Sequence, residues 1–304
     1  GSCSQNGLLE MSLLFSVSEV VAPVFILAAI GFLWVKLGFE YRVQFVTRLS
    51  MSLGVPCLIF TALMQTKIDA GFLQITVFAS ILAYALVTVA GFALVKLAGL
   101  DLRTYLGPLI FGNTGNVGLP LAFFAFGDEG FGYAVVIFAI MGMYSFTAGI
   151  WIVSGGGSLF KIVKEPLVSA TFLGALFLWQ GWETPPFLTN TLELIGQMAI
   201  PLMLITLGVA VARLTPGRVS KVAWLALIKY AGCLICACAA GWWFNLPDIA
   251  FAVLVLQVTT PVAVTSYMLA EKYGADSQAV AGLVVISTLF SVALIPITLA
   301  VLIA

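Results

Sequence analysis

Histidine is absent from the 304 residues. With it go imidazole proton relays, Ser-His-Asp catalysis and most zinc and haem ligation. Charge is almost as scarce: Asp, Glu, Lys and Arg make up 9% of the chain, against about a quarter in a soluble domain. The thirteen acidic and thirteen basic residues cancel to a formal net charge of +0, leaving no long-range field to attract polyanions. What fills the chain instead is apolar, 62% of residues, with a mean hydropathy of +1.14. Such a sequence cannot assemble a water-facing surface. A cytosolic enzyme, a nucleic-acid binder and a disordered protein are therefore excluded, and an all-α polytopic membrane protein is expected.

Cysteine offers little chemistry. Cys233, Cys236 and Cys238 share one apolar segment with a Cys-x-x-Cys spacing, while Cys3 and Cys57 stand apart. Without a second pair or a His, small apolar packing residues are the reading that fits, and no metal or other cofactor is expected. The opening Gly1–Gly7 carries no basic residue before the first apolar run, unlike a signal peptide.

A helical span needs about 20 apolar residues. Ten segments qualify: Ser18–Lys36, Val43–Met64, Phe72–Leu97, Thr104–Phe126, Gly132–Trp151, Pro166–Trp179, Thr191–Val211, Val219–Phe244, Ile249–Ala270 and Gln278–Ile303. Eleven of the thirteen Lys and Arg residues fall in the odd-numbered loops. Lys67 alone lies in an even loop, and Lys229 lies inside span eight. By the positive-inside rule the odd loops face the cytoplasm and both termini face outward.

The two halves, 18–151 and 166–303, flank a Gly/Ser-rich linker at 152–165 and echo each other. Pro23, Gly31, Gly38 and Glu40 recur as Pro166, Gly174, Gly181 and Glu183 at an offset of 143. Pro56 and Pro201 match at 145, and Phe126-Gly127 and Tyr273-Gly274 match at 147. Five spans per half is an odd number, so the second half enters the membrane inverted, the arrangement of many secondary transporters.

Spans four and nine are the least regular. Span four contains Gly112-Asn113-Thr114-Gly115-Asn116-Val117-Gly118-Leu119-Pro120, and span nine contains Gln257-Val258-Thr259-Thr260-Pro261. Gly costs about 1 kcal/mol and Pro about 3 kcal/mol in a helix interior. Two proline kinks would be the bland outcome. A pair of discontinuous helices at matching places is the sharper expectation, with half-helix N-termini offered to an anion. Lys229, eight residues beyond Lys221, costs about 3 kcal/mol at such a depth. It can bind an anionic substrate, act as a fixed cation steadying unwound segments, or snorkel to the surface.

Asn113-Thr114-x3-Gly118-x-Pro120-Leu121 resembles the span-four motif of the auxin efflux carrier family. Pro261 with Ala270-Glu271-Lys272-Tyr273, Ser287-Thr288-Leu289 and Ile295–Leu299 resembles that family's C-terminal end. The resemblance implies ten transmembrane helices in two inverted five-helix repeats, with helices four and nine crossing at Pro120 and Pro261 beside Gly115 and Gly118. It implies a scaffold of spans one, two, six and seven, commonly dimeric. The other six spans would form an elevator-like transport domain in a bacterial cytoplasmic membrane. Organic anions are the implied substrates, with Asn113 and Thr114 beside them. Chemistry and position add Asn116, Gln257, Thr259, Thr260 and Lys229 as substrate-binding candidates. A sodium-coupled bile-acid-type symporter and a non-transporting sensor with the same fold are the alternatives.

Overall fold

The computed structural model describes residues 22–23, 25–65, 70–156, 166–212 and 219–303. Every regular element among them is helical, and the only β pairing there is a single isolated bridge. Six helices are long and apolar enough to cross a membrane: Val43–Met64, Gln74–Leu97, Glu129–Val153, Pro186–Val209, Val222–Trp243 and Ser277–Leu302. Shorter apolar helices cover Phe25–Lys36, Val168–Gln180 and Asp248–Val258. The chain is an all-helical polytopic membrane protein.

In chain order the elements are α1 (Phe25–Lys36), α2 (Val43–Met64) and α3 (Ala70–Leu97), then α4 (Leu102–Ile110) and α5 (Leu119–Tyr144). The second half holds α6 (Pro166–Gln180), α7 (Pro186–Gln197), α8 (Ala199–Ala212), α9 (Val219–Trp243), α10 (Asp248–Val258), α11 (Val264–Tyr273) and α12 (Ser277–Ile303). Large apolar side chains such as Ile26, Leu33, Phe45, Val89 and Ile297 point outward, as lipid-facing side chains must. Trp179, Trp182, Trp242 and Trp243 lie exposed at helix ends, where amphipathic rings meet the headgroups.

Proline placement explains the interruptions within α2 and between α7 and α8. A proline ring clashes with the carbonyl four residues back and lacks an N–H. Before Pro56, α2 widens into a π turn over Ser50–Gly54. Before Pro201, the helix breaks at the single turn residue Met198, separating α7 from α8.

Several expected boundaries move. Span four begins at Leu102 because Asp101 caps it, its Oδ2 accepting the Thr104 N–H at 3.0 Å. Spans four and five part where expected, directly after Phe126: at Gly127 φ 63° and ψ −152° break the helical path within α5, a conformation essentially confined to glycine, and the next span begins at Glu129. Span seven starts at Pro186, since proline suits the first helical turn and the polar Thr189, Asn190 and Thr191 only disguised it in hydropathy. The start of span one at 18–21, and linker residues 157–165, lie outside the described residues.

Candidate functional site

Both irregular segments are true interruptions. Helix α4 stops at Ile110, residues 111–113 run extended, and a π turn over Thr114–Gly118 leads into α5. Helix α10 stops at Val258 and α11 starts at Val264 after the extended Ala263. The loosened backbones satisfy each other. Gly112 and Val262 form an antiparallel bridge, with the Asn113 N–H donating to Pro261 O at 2.7 Å and the Ala263 N–H donating to Phe111 O at 3.1 Å. The Val262 N–H donates to Ser287 Oγ at 3.0 Å, tying α12 to the pair. This is how non-helical backbone survives at membrane depth.

The pairing sorts helix ends by sign. On one side lie the N-terminal ends of α5 and α11, facing a cavity of about 200 Å³ lined by Asn113, Thr114, Gly115, Ala263, Val264 and Thr265 together with residues of α2, α5, α6 and α8. Asn113 O is the first acceptor of its turn, taking the N–H groups of Val117 and Gly118 at 3.1 and 3.2 Å. The N–H groups of residues 114–116 therefore precede the helical ladder, as the first N–H groups of any helix do. Thr114 is fully buried in this wall and its Oγ1 has no hydrogen-bond partner. None of the described lining residues is charged, so the field there is set by two positive helix ends.

On the other side lie the C-terminal ends of α4 and α10, and here the Thr259 and Thr260 hydroxyls are already engaged. Thr259 Oγ1 donates to Val255 O at 2.7 Å and Thr260 Oγ1 to Gln257 O at 2.7 Å, each closing a carbonyl of its own helix end. Lys229, only 5% exposed, donates from Nζ to Thr260 O at 3.2 Å.

The sequence candidates thus divide. Asn113, Thr114 and Gly115 line the cavity; Lys229, Thr259, Thr260 and Pro261 line a separate narrow crevice behind the bridge. Gln257 lies in neither. It is fully buried, donates Nε2 to Ala134 O at 3.4 Å and packs where a Cβ on Gly118 would fall. Asn116 and Pro120 are placed by backbone only, in the π turn and the first turn of α5; their side chains lie outside what is described. Thr265, close behind Pro261 and read in the sequence only as a group able to bond released carbonyls, also lines the cavity. Two hydroxyl-bearing cavity residues escaped the sequence reading, Ser145 and Thr171; both lie in apolar helical segments with no break in the pattern to mark them.

Among the described residues no three His, Cys, Asp or Glu side chains converge, and the described cysteines are unbridged. Two known proteins share most of the chain. A Rhizobium meliloti protein named "Putative malonate transporter" is 23% identical over 301 residues, covering 91% of this chain and 93% of that protein. An uncharacterized transporter of Methanocaldococcus jannaschii is 24% identical over 306 residues, covering 91% and 96% respectively. The family model described as membrane transport protein matches residues 16–162 and 154–299. On that match, which takes in both helix interruptions, the chain belongs to the membrane transport protein family, that of the auxin efflux carriers.

Proposed function

We propose that the protein carries small organic anions across the membrane by alternating access, binding them in the cavity beside the paired interruptions. The observation that carries this reading is the convergence on one cavity of two helix N-termini and the unpartnered Thr114 hydroxyl, with no described carboxylate in the wall. Backbone N–H groups at helix ends bind carboxylates well. Apart from Asn113 and the hydroxyl residues Thr114, Ser145, Thr171 and Thr265, the lining is apolar, including Leu58, Ile59, Phe138, Met141 and Phe146. A guest with one carboxylate and an apolar body suits this wall. Malonate, which the name of one relative carries, would need a second cationic partner that the described lining does not offer.

The ten-span, inverted-repeat reading belongs to the same proposal, with spans four and nine crossing at their breaks. Helix ends of the two halves share their backbone signature: positive φ occurs at Gly38 and Gly181, at Gly99 and Asn245, and at Gly127 and Gly274, at separations of 143, 146 and 147 residues. Packing follows the same rule. Gly31 lies against the backbone of Ile205, and its counterpart Gly174 against the backbone of Phe60. One buried cluster unites α3, α4, α5, α9 and α10 with the end of α12 and takes no buried residue from α2, α6, α7 or α8. That division favours a moving body of spans three to five and eight to ten sliding on the other four, in an elevator-type cycle. The skew of Lys and Arg to the odd loops gives both termini an outward orientation, and a bacterial cytoplasmic membrane fits it. A scaffold-mediated homodimer is the assembly this division would allow.

The test is uptake and binding of phenylacetate by the purified protein in liposomes and detergent. Thr114→Val keeps the volume and removes a hydroxyl that has no hydrogen-bond partner. The melting temperature should stay within about 2 °C of wild type, while the Kd for phenylacetate rises about tenfold, equivalent to about 1.4 kcal/mol. Malonate should compete at least about tenfold more weakly. Unchanged affinity in the variant removes Thr114 from the site, and saturable binding without flux turns the carrier into a sensor.

A further inference from the structure

Lys229 presents a problem that the proposed cargo does not solve. Its ammonium is buried, and among the described residues no carboxylate lies within ion-pair distance of it. An uncompensated charge at this depth is costly and persists where it has a function. The surroundings show what compensates it. Nζ donates to Thr260 O at 3.2 Å, just past the C-terminal end of α10, and contacts Cys233 Sγ at 3.7 Å. The Cys233 thiol in turn reaches Leu109 O at 3.9 Å, in the last turn of α4. The ammonium therefore bonds the carbonyl end of α10 directly and is linked to the carbonyl end of α4 through the Cys233 thiol, one turn along its own helix.

The magnitudes match. Each helix C-terminus carries roughly half a negative charge, so two of them present about one, and a single fixed cation balances it. Carbonyl ends at a helix break are also the oxygen-lined setting in which transporters hold a coupling sodium.

We infer that Lys229 is a tethered cation occupying the position of a monovalent coupling ion, so that the paired breaks assemble without sodium. It is a positioning residue: it acts on the cavity through the backbone of Thr260 and its neighbours and lines no part of the cavity itself. The inference concerns the empty protein, so it stands or falls separately from the identity of the cargo.

Melting temperatures of the purified full chain, taken without substrate, test it. Wild type should melt at the same temperature in sodium chloride and in N-methylglucamine chloride. Lys229→Ala should melt at least about 5 °C lower, and at least half of that loss should return, saturably, on adding methylammonium or sodium. Lys229→Met, whose side chain fills the space without charge, should show the same loss and no recovery. The idea is overturned by a sodium-dependent rise in the wild type, by a Met variant as stable as wild type, or by an Ala variant that small cations do not restore. Should Ala and Met variants both fail to fold, the wild-type comparison still decides.

Discussion

Gly112→Ala should abolish phenylacetate uptake and lower the melting temperature by roughly 3–5 °C, the shift that about 2–3 kcal/mol of overpacking produces in a chain of this size. A Cβ at this position would come within 3.0 Å of Thr260 Oγ1 and to 3.3 Å of Thr260 O. Neither obstacle can retreat. The hydroxyl is bonded to Gln257 O and the carbonyl to Lys229, while the Gly112 backbone is itself bridged to Val262. Gly118→Ala is the informative contrast. Its obstacle is the far end of the Gln257 side chain, which can swing aside, so its effect should be less than half as large. Combining Gly112→Ala with Thr260→Ala removes the nearest clash, and recovery of more than half the stability loss is expected from the coupling of contacting residues. Uptake at the wild-type rate by the single variant would show that the breaks are not held as a rigid pair.

Gly208→Ala and Gly31→Ala should each prevent recovery of folded, monodisperse protein, a loss larger than that at Gly112. Helices α1 and α8 meet at backbone distance: a Cβ on Gly31 would overlap the Ile205 carbonyl, and one on Gly208 the Ala28 carbonyl. Small residues allow this approach, which is what drives helix association where the hydrophobic effect cannot. The obstacles are main-chain atoms, so relief requires parting the helices along their length and forfeiting many van der Waals contacts together. Costs above about 4 kcal/mol are expected of so local a change only when backbone must move. Gly232 is the matched control, since nothing lies within 4 Å of a Cβ placed there; Gly232→Ala should elute as wild type in size-exclusion chromatography. A normal elution profile for Gly208→Ala would mean that α1 and α8 are not in backbone contact.

The interruptions themselves were legible because their cause is local. Gly, Asn and Pro crowded into nine residues disfavour a helix whatever surrounds them, and Pro261 does the same for span nine. Which polar groups face a guest was not legible, because that depends on how two breaks pair. Thr259 and Thr260 look like ligands in the sequence, yet the helix terminates there and its own carbonyls take their hydroxyl protons. Gln257 points at Gly118 because the pairing of the two breaks sets the end of α10 against the start of α5. The end of span four at Phe126 was legible because its cause is local too: Gly127 adopts a backbone conformation essentially confined to glycine and breaks the helix there. Thr171, contributed by a helix of the opposite wall, has no neighbour in sequence that could have announced it.

The bond between the two breaks is made almost wholly of main-chain atoms: Asn113 N with Pro261 O, and Ala263 N with Phe111 O. Any residue with a backbone N–H can supply such a bond, so mutational drift at positions 113 and 263 leaves it intact unless proline arrives. The identity of the cargo and the integrity of the frame are therefore inherited through different atoms. Descendants of such a chain could exchange Thr114, Ser145, Thr171 and Thr265 for other side chains and acquire a new substrate, while the main-chain bonds between the two breaks stay as they were.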